Sequence, residues 1–185
     1  MTAEETISAV RRWVEAIVIE LNLCPFAGRE FQQNRIRFSV TPATTEEELL
    51  ASLKSEVDLL GQDSAIETTL LIHPGVLQEF ADYNEFLDQA DRLLEVLELR
   101  GIFQIASFHP QYQFANSLID DVENYTNRSP YPMLHLLREE SVNRAIESHP
   151  DTNLIPERNV ALMKKMGSSH VKQLLQHCLI DLNEK

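Results

Sequence analysis

Arg35-Ile36-Arg37-Phe38-Ser39-Val40-Thr41-Pro42 opens the stretch that decides the fold, and Thr68-Thr69-Leu70-Leu71-Ile72-His73-Pro74 closes it. In the first segment Ile36, Phe38 and Val40 alternate with Arg35, Arg37 and Ser39, the period of a strand with one face buried; Pro42 ends it. Between the two lies Thr44-x-x-Glu47, which reads as a capping box. Leu49, Leu50, Leu53, Val57 and Leu60 then fall at helical spacing, with Gly61 at the helix end. Strand, helix and strand in this order make a crossover unit, which joins parallel strands in nearly every known case.

The same grammar extends outward. Thr2-x-x-Glu5 caps a first helix whose apolar face is Ile7, Val10, Trp13, Val14, Ile17, Val18 and Leu21. Pro25 disfavours helical geometry at Cys24, so a long connection from Asn22 to Asn34 follows. Phe86, Leu87, Ala90, Leu93, Leu94 and Leu97 mark a further helix stopped by Gly101, and Ile102 to Phe108 forms a third strand ended by His109-Pro110. Residues 116–126 suit a short helix. Ser129-Pro130 reads as an N-cap with proline at the first helical position, opening a helix to about Ser148. Pro156 opens another that Gly167 closes, and Ser168 or Ser169 caps the last, with Val171, Leu174, Leu175 and Cys178 on its buried face. The expectation is one α/β domain over residues 1–185. It has a small, mostly parallel sheet of about three strands (35–41, 67–73 and 102–109), flanking helices and an all-helical C-terminal third.

A chain of 185 residues can bury roughly 70% of its unfolded surface, so it needs neither disulfide nor metal to fold. Sixteen basic against 29 acidic residues give a formal charge of -13. Such a chain is repelled by phosphate backbones and anionic lipid, which argues against nucleic-acid and membrane partners but leaves room for a local basic pocket holding a small anion. The start is acidic rather than signal-like, and no apolar run approaches the roughly 18 residues of a membrane span. Two cysteines make no disulfide framework, and the expected setting is a reducing cytoplasm.

Asn22-Leu23-Cys24-Pro25-Phe26-Ala27, Phe108-His109-Pro110-Gln111-Tyr112-Gln113-Phe114-Ala115 and Asn124-Tyr125-Thr126-Asn127-Arg128-Ser129-Pro130-Tyr131-Pro132, continuing through His135-Leu136-Leu137-Arg138-Glu139, occur here in that order. On these motifs the chain resembles an uncharacterised, mainly bacterial family of proteins of about this length, domain-of-unknown-function family 1415. The resemblance covers most of the chain and implies no activity, cofactor or catalytic residue.

The candidate site comes from the residues themselves. Thr41-Pro42, His73-Pro74 and His109-Pro110 end three strands; if these are parallel, they share the carboxyl edge, where ligands of open α/β sheets usually bind. His73 is read as an ordinary loop residue. His109 is a candidate general acid or base. Tyr112, Asn127, Arg128, Ser129 and Arg138 are candidate substrate-binding residues, because a helix start beside two arginines can hold a carboxylate or phosphate. His135 and Arg138, three apart, would share a helix face. Cys24 is the one good nucleophile candidate, provided a histidine or arginine from elsewhere in the fold activates it; the plain alternative is a small packed hydrophobe.

No histidine pair has HExxH or zinc-finger spacing, so no metal is expected. GxGxxG, P-loop and GxSxG patterns are absent, leaving the cofactor unknown. Two functions stay open: a small-molecule enzyme of hydrolase or transferase type acting on an anionic substrate, and a non-catalytic module binding a small anion or a protein partner. The oligomeric state stays open too. The expectation most exposed to test is that His109, Arg128, His135 and Arg138 line one pocket with Cys24 at its wall.

Overall fold

In the computed structural model, which describes residues 2–148 and 151–180, the chain forms four strands and seven α-helices. The helices are α1 (Ala3–Trp13), α2 (Ala27–Gln32), α3 (Glu46–Gln62), α4 (Phe80–Val96), α5 (Glu139–Ser148), α6 (Ile155–Met166) and α7 (Ser168–Leu179). The strands are β1 (Ile36–Val40), β2 (Thr68–Ile72), β3 (Phe103–Phe108) and β4 (Met133–Arg138). A π-helix (Val14–Ile19) continues α1, and a 3-10 turn (Val122–Thr126) precedes β4. The Thr2–Glu5 capping box forms, whereas α3 is capped one residue later than its pattern suggested, by Thr45 accepting from the Glu48 N–H at 3.2 Å.

The sheet is mixed, in the order β1-β2-β4-β3. β1 and β2 are parallel, and β4 runs antiparallel to both β2 and β3. This corrects the expectation of about three mostly parallel strands. The fourth strand is the segment read as the start of a helix: Ser129-Pro130 opens none, the Ser129 hydroxyl donates to the Tyr131 carbonyl at 2.7 Å, and helix begins only at Glu139. Buried on both faces, Met133-Leu134-His135-Leu136-Leu137 reads as an apolar run, and such a run carries no period that separates strand from buried helix. The all-helical part accordingly starts at Glu139.

Reversed strand β4 nevertheless leaves β1, β2 and β3 pointing the same way, because it is antiparallel to each neighbour it separates. Ile72 and Phe108 both pair with Met133, so His73 and His109 do share an edge.

Side chains alternate across the sheet. Leu71, Leu134, Leu136 and Phe103 face α3 and α4. Leu70, Ile72 and Met133 face α1, the π-helix, α6 and α7. On the first face Arg37 makes a two-pronged pair with Glu56 of α3 (2.7 and 3.0 Å), which Ser39 also bonds at 2.7 Å, so a half-shielded charge pair fixes α3 on edge strand β1. Cys178 is 3% exposed on α7, its thiol donating to the Leu174 carbonyl.

Strand geometry also parts His135 from Arg138, which sit on opposite faces instead of one helix face. Arg138 reaches the far, amino edge. There it donates to the carbonyls of Leu60, Asp63 and Ile66, closing the C-terminal end of α3. Charged donors on several carbonyls are worth more than neutral ones, so Arg138→Met is expected to cost about 2–3 kcal/mol of stability, read as a lower denaturant midpoint with an unchanged slope. A variant as stable as the parent would show these bonds to be incidental.

Candidate functional site

The two edge histidines are buried and hydrogen-bonded to backbone carbonyls. Gln111 N–H donates to His109 Nδ1 at 3.0 Å, which leaves Nε2 as the protonated nitrogen, donating to the Leu77 carbonyl at 3.1 Å. Both ring nitrogens are therefore occupied, and burial holds the ring below the usual histidine range. His73 donates from Nδ1 to the Val76 carbonyl at 3.1 Å, while its buried Nε2 has no partner; burial pushes it down to about 4. The pair anchors loop 73–79, in which Leu77 takes a left-handed backbone (φ 57) and Gly75 lies so close to the Ala43 carbonyl that a Cβ would sit 2.8 Å from it. Between the rings stands Tyr83, its hydroxyl donating to the Met133 carbonyl and accepting from Phe108 N–H. This corner of the edge is sealed.

His135 lies on the other face of β4. Thr68 Oγ1 donates to the Leu136 carbonyl, so His135 Nε2 must donate to Thr68 Oγ1, at 2.7 Å; burial pushes this ring, too, down to about 4. It sits behind Phe108 (centroids 6.0 Å apart), which also meets the Trp13 ring edge-on.

The edge is open beside Phe108. A cavity of about 480 Å³ lies there, bounded by Cys24, the 3-10 turn and the start of α6. Val18, Leu23, Phe114, Ile155, Pro156 and Val160 complete its apolar wall; Cys24, Glu123, Thr126, Asn127 and Asn159 are the polar members.

Local structure explains how Cys24 arrives there. The π-helix widens the last turns, with Glu20 and Leu23 N–H bonding back five residues to Glu15 and Val18. Asn22 then turns through a left-handed conformation (φ 51) that asparagine tolerates. From α6, Arg158 and Asn159 donate to the carbonyls of Asn22 and Leu23, both at 2.8 Å, and pin the turn. The connection is not one long loop: α2 occupies half of it. Glu123 pairs with Lys164 at 3.0 Å. Asn127 donates to the Ser107 carbonyl at 3.2 Å and accepts from the Thr126 hydroxyl at 3.2 Å, tying the 3-10 turn to β3.

The residues expected to line one pocket are thus distributed over several places. Cys24 and Asn127 meet at the cavity. His109 and His135 sit behind its wall, Ser129 is buried, and Arg138 is at the opposite edge. Tyr112 packs on Phe80 and Phe114, donates its N–H to the His109 carbonyl at 3.1 Å and accepts from Arg128 at its own carbonyl. Arg128 stacks over Tyr125 at 4.5 Å and also donates to the Ile119 carbonyl. It lines a separate recess of about 250 Å³ with Asp120, Ser168, Ser169 and Lys172.

Asn159, Thr126 and Glu123 were not legible as cavity residues, since nothing in their sequence neighbourhoods marks them. The polar run around Asn124 did hold a signal. Buried Asn124 organises loop 114–121, accepting from Phe114 N–H and the Ser117 hydroxyl and donating to the Leu118 carbonyl. Among the described residues no three His, Cys, Asp or Glu side chains gather as metal ligands, and no helix is long and apolar enough to cross a membrane.

A family model described as "Protein of unknown function (DUF1415)" matches residues 5–173, a span containing every residue of the cavity and of the recess. No curated protein and no solved structure matches the chain.

The buried histidines give a pH dependence of known sign. Their folded values lie below the ordinary 6.5, so the unfolded chain binds protons that the folded chain refuses. Stability is complete above about pH 6.5 and falls as pH drops toward 4, by on the order of 3 kcal/mol for each of His73 and His135. Denaturant midpoints at pH 7 and pH 4.5 check this; equal midpoints would contradict neutral, buried rings.

Proposed function

The chain belongs to the family described as Protein of unknown function (DUF1415), and from that premise we propose that it binds a small, largely apolar molecule in the cavity beside Cys24. One observation carries the reading: a cavity of about 480 Å³ opens at the carboxyl edge of the sheet, apolar for most of its wall and with a few polar groups, among them a thiol, converging on it. Its size and composition are those of small-molecule sites, and the edge is the usual place for them in α/β sheets. Occupied ring nitrogens at His109 argue against an acid-base role for that residue. An enzymatic version of the reading, of transferase or hydrolase type, therefore runs through Cys24 as nucleophile, with Asn127 beside it. A reducing cytoplasmic setting, in which the thiol persists, belongs to the same reading.

Filling the cavity tests it. Saturation-transfer NMR with a set of small uncharged aromatic and aliphatic fragments is expected to find binders to the parent chain that Val160→Trp, folded by its circular dichroism, loses by at least about tenfold in affinity, or roughly 1.4 kcal/mol. Fragments that bind both chains equally would place the ligand elsewhere.

A second reading keeps the small anion. Arg128 and Lys172 converge on the smaller recess with the hydroxyl residues Ser168 and Ser169, beside a single carboxylate, Asp120. Among the described residues neither cation has a carboxylate within 4.0 Å, in a chain whose acids far outnumber its bases. Under it, inorganic phosphate binds with an affinity that Lys172→Ala lowers several-fold and added salt weakens, as measured by calorimetric titration. Phosphate binding indifferent to that substitution would remove it.

A further inference from the structure

We propose that the free edge of β1 docks an extended, acidic segment of a partner protein, which joins the sheet as an added strand and sets a carboxylate against Arg11. The cavity beside Cys24 and the recess at Arg128 take no part in it.

Two independent observations meet at this edge. The first is in the backbone. β1 has a neighbour on one side only, β2. The Arg35 carbonyl and the Thr41 N–H both bond to the β2 side, so Arg37 and Ser39 face β2 as well, while Ile36, Phe38 and Val40 turn their N–H and C=O groups outward. None of those outward groups bonds to another described residue. The opposite edge of the sheet is treated differently. On β3 the outward Phe103 N–H goes to the Leu99 carbonyl, and Asn127 takes the Ser107 carbonyl and the His109 N–H. A row of unpaired backbone groups is a template for a further strand, and an edge that is not used is usually blunted or covered.

The second observation is a cation. Arg11 of α1 lies over the Phe38 ring, 4.4 Å from its centre, and 5.9 Å from that of Phe31. It is exposed, and its guanidinium makes no hydrogen bond or ion pair with any described residue. The arginines of the strand and its approach are already neutralised, Arg35 by Glu30 and Glu67 and Arg37 by Glu56. Stacking on Phe38 holds the Arg11 fork over the edge strand with its N–H donors free for a carboxylate.

Charge chooses the occupant. A second copy paired along β1 about a twofold axis at Phe38 would bring two Arg11–Phe38 stacks together, in two chains that each carry a formal charge of -13. An acidic strand from another protein instead offers carboxylates to Arg11 and backbone partners to Ile36, Phe38 and Val40. At physiological salt the Debye length is about 8 Å, so a guanidinium in contact outweighs the more distant acids of the chain. Pro42, the next residue on the outward side, has no N–H and ends the edge.

The test uses the full chain at about 0.15 M salt and a peptide of about eight residues in which threonine and glutamate alternate. Expected in an NMR titration are shifts of the Phe38 and Val40 amides and an affinity at least about tenfold above that of the threonine–lysine counterpart. Only alternate N–H groups of a strand face its neighbour, so of the two peptides N-methylated at every second residue one should lose binding and the other keep it. Arg11→Gln should weaken binding several-fold. So should Val40→Pro, which removes an outward N–H and leaves the bonds to β2 in place. Lys172→Ala should leave binding unchanged. No shift up to about 1 mM peptide, equal binding of the two charge types, both methylated peptides binding like the parent, or shifts confined to Arg128 and Lys172 overturns the inference. So does a chain that sediments as a dimer and becomes monomeric with Val40→Pro, since the edge then belongs to a second copy.

Discussion

Met133–Arg138 is hydrogen-bonded along both edges, to β2 on one side and β3 on the other, and the rest of the molecule is arranged around that fact. Its backbone groups are paired by neighbours brought from more than 60 and about 30 residues away. Its side chains are divided between two cores, Leu134 and Leu136 on one face, Met133 and His135 on the other. A buried strand left without either neighbour would expose a row of unpaired amides in an apolar interior, at a cost no local propensity offsets. The two layers of helices are held to one sheet because this strand closes it.

Insertion of a reversed strand has a second consequence. It keeps β1, β2 and β3 codirectional, so the carboxyl edge typical of parallel sheets survives in a mixed one. The structure then divides that edge. Over β2 and toward α4 it is sealed by loop 73–79, which His73 and His109 hold through backbone carbonyls. Beside Phe108 it stays open, with Cys24 and the start of α6 forming the opposite bank. Histidines serve here as neutral clamps. In His109 both ring nitrogens are engaged, which fixes its tautomer and its place, whereas His73 is held through Nδ1 alone, with Nε2 buried and unpartnered.

The open part is assembled from distant pieces by side chains bonded to carbonyls. Trp13 Nε1 donates to Arg128, Arg158 to Asn22, and Asn159 to Leu23. Each donor carries a segment that has little regular structure of its own, and each spans more than 100 residues of sequence. Such bonds define the rim of a cavity, because loops that satisfy their backbone through a few distant side chains do not collapse onto one another.

Sequence by itself determined what depends on near neighbours. Alternation in Ile36–Val40, the helical spacing of Leu49, Leu53, Val57 and Leu60, and the stops at Pro42, Pro74, Gly101 and Gly167 placed three of the four strands and most of the helices within a few residues. They also placed Cys178 in the core and brought the Cys24 motif and the 107–138 region into question together. Tertiary structure alone decided the rest. Whether Met133–Arg138 is strand or helix depends on amides supplied by β2 and β3, and the apolar run looks the same either way. With that choice went His135 and Arg138, sent to opposite faces by a period of two where a helix would have aligned them. What a histidine or arginine does depends on which carbonyl lies 3 Å away: Leu77 for His109, Leu60 and Ile66 for Arg138, Tyr112 and Ile119 for Arg128. Those carbonyls are distributed along the chain without any residue-type signature, since every residue has one. A side chain's chemistry is written in the sequence, but its partner is chosen by the fold.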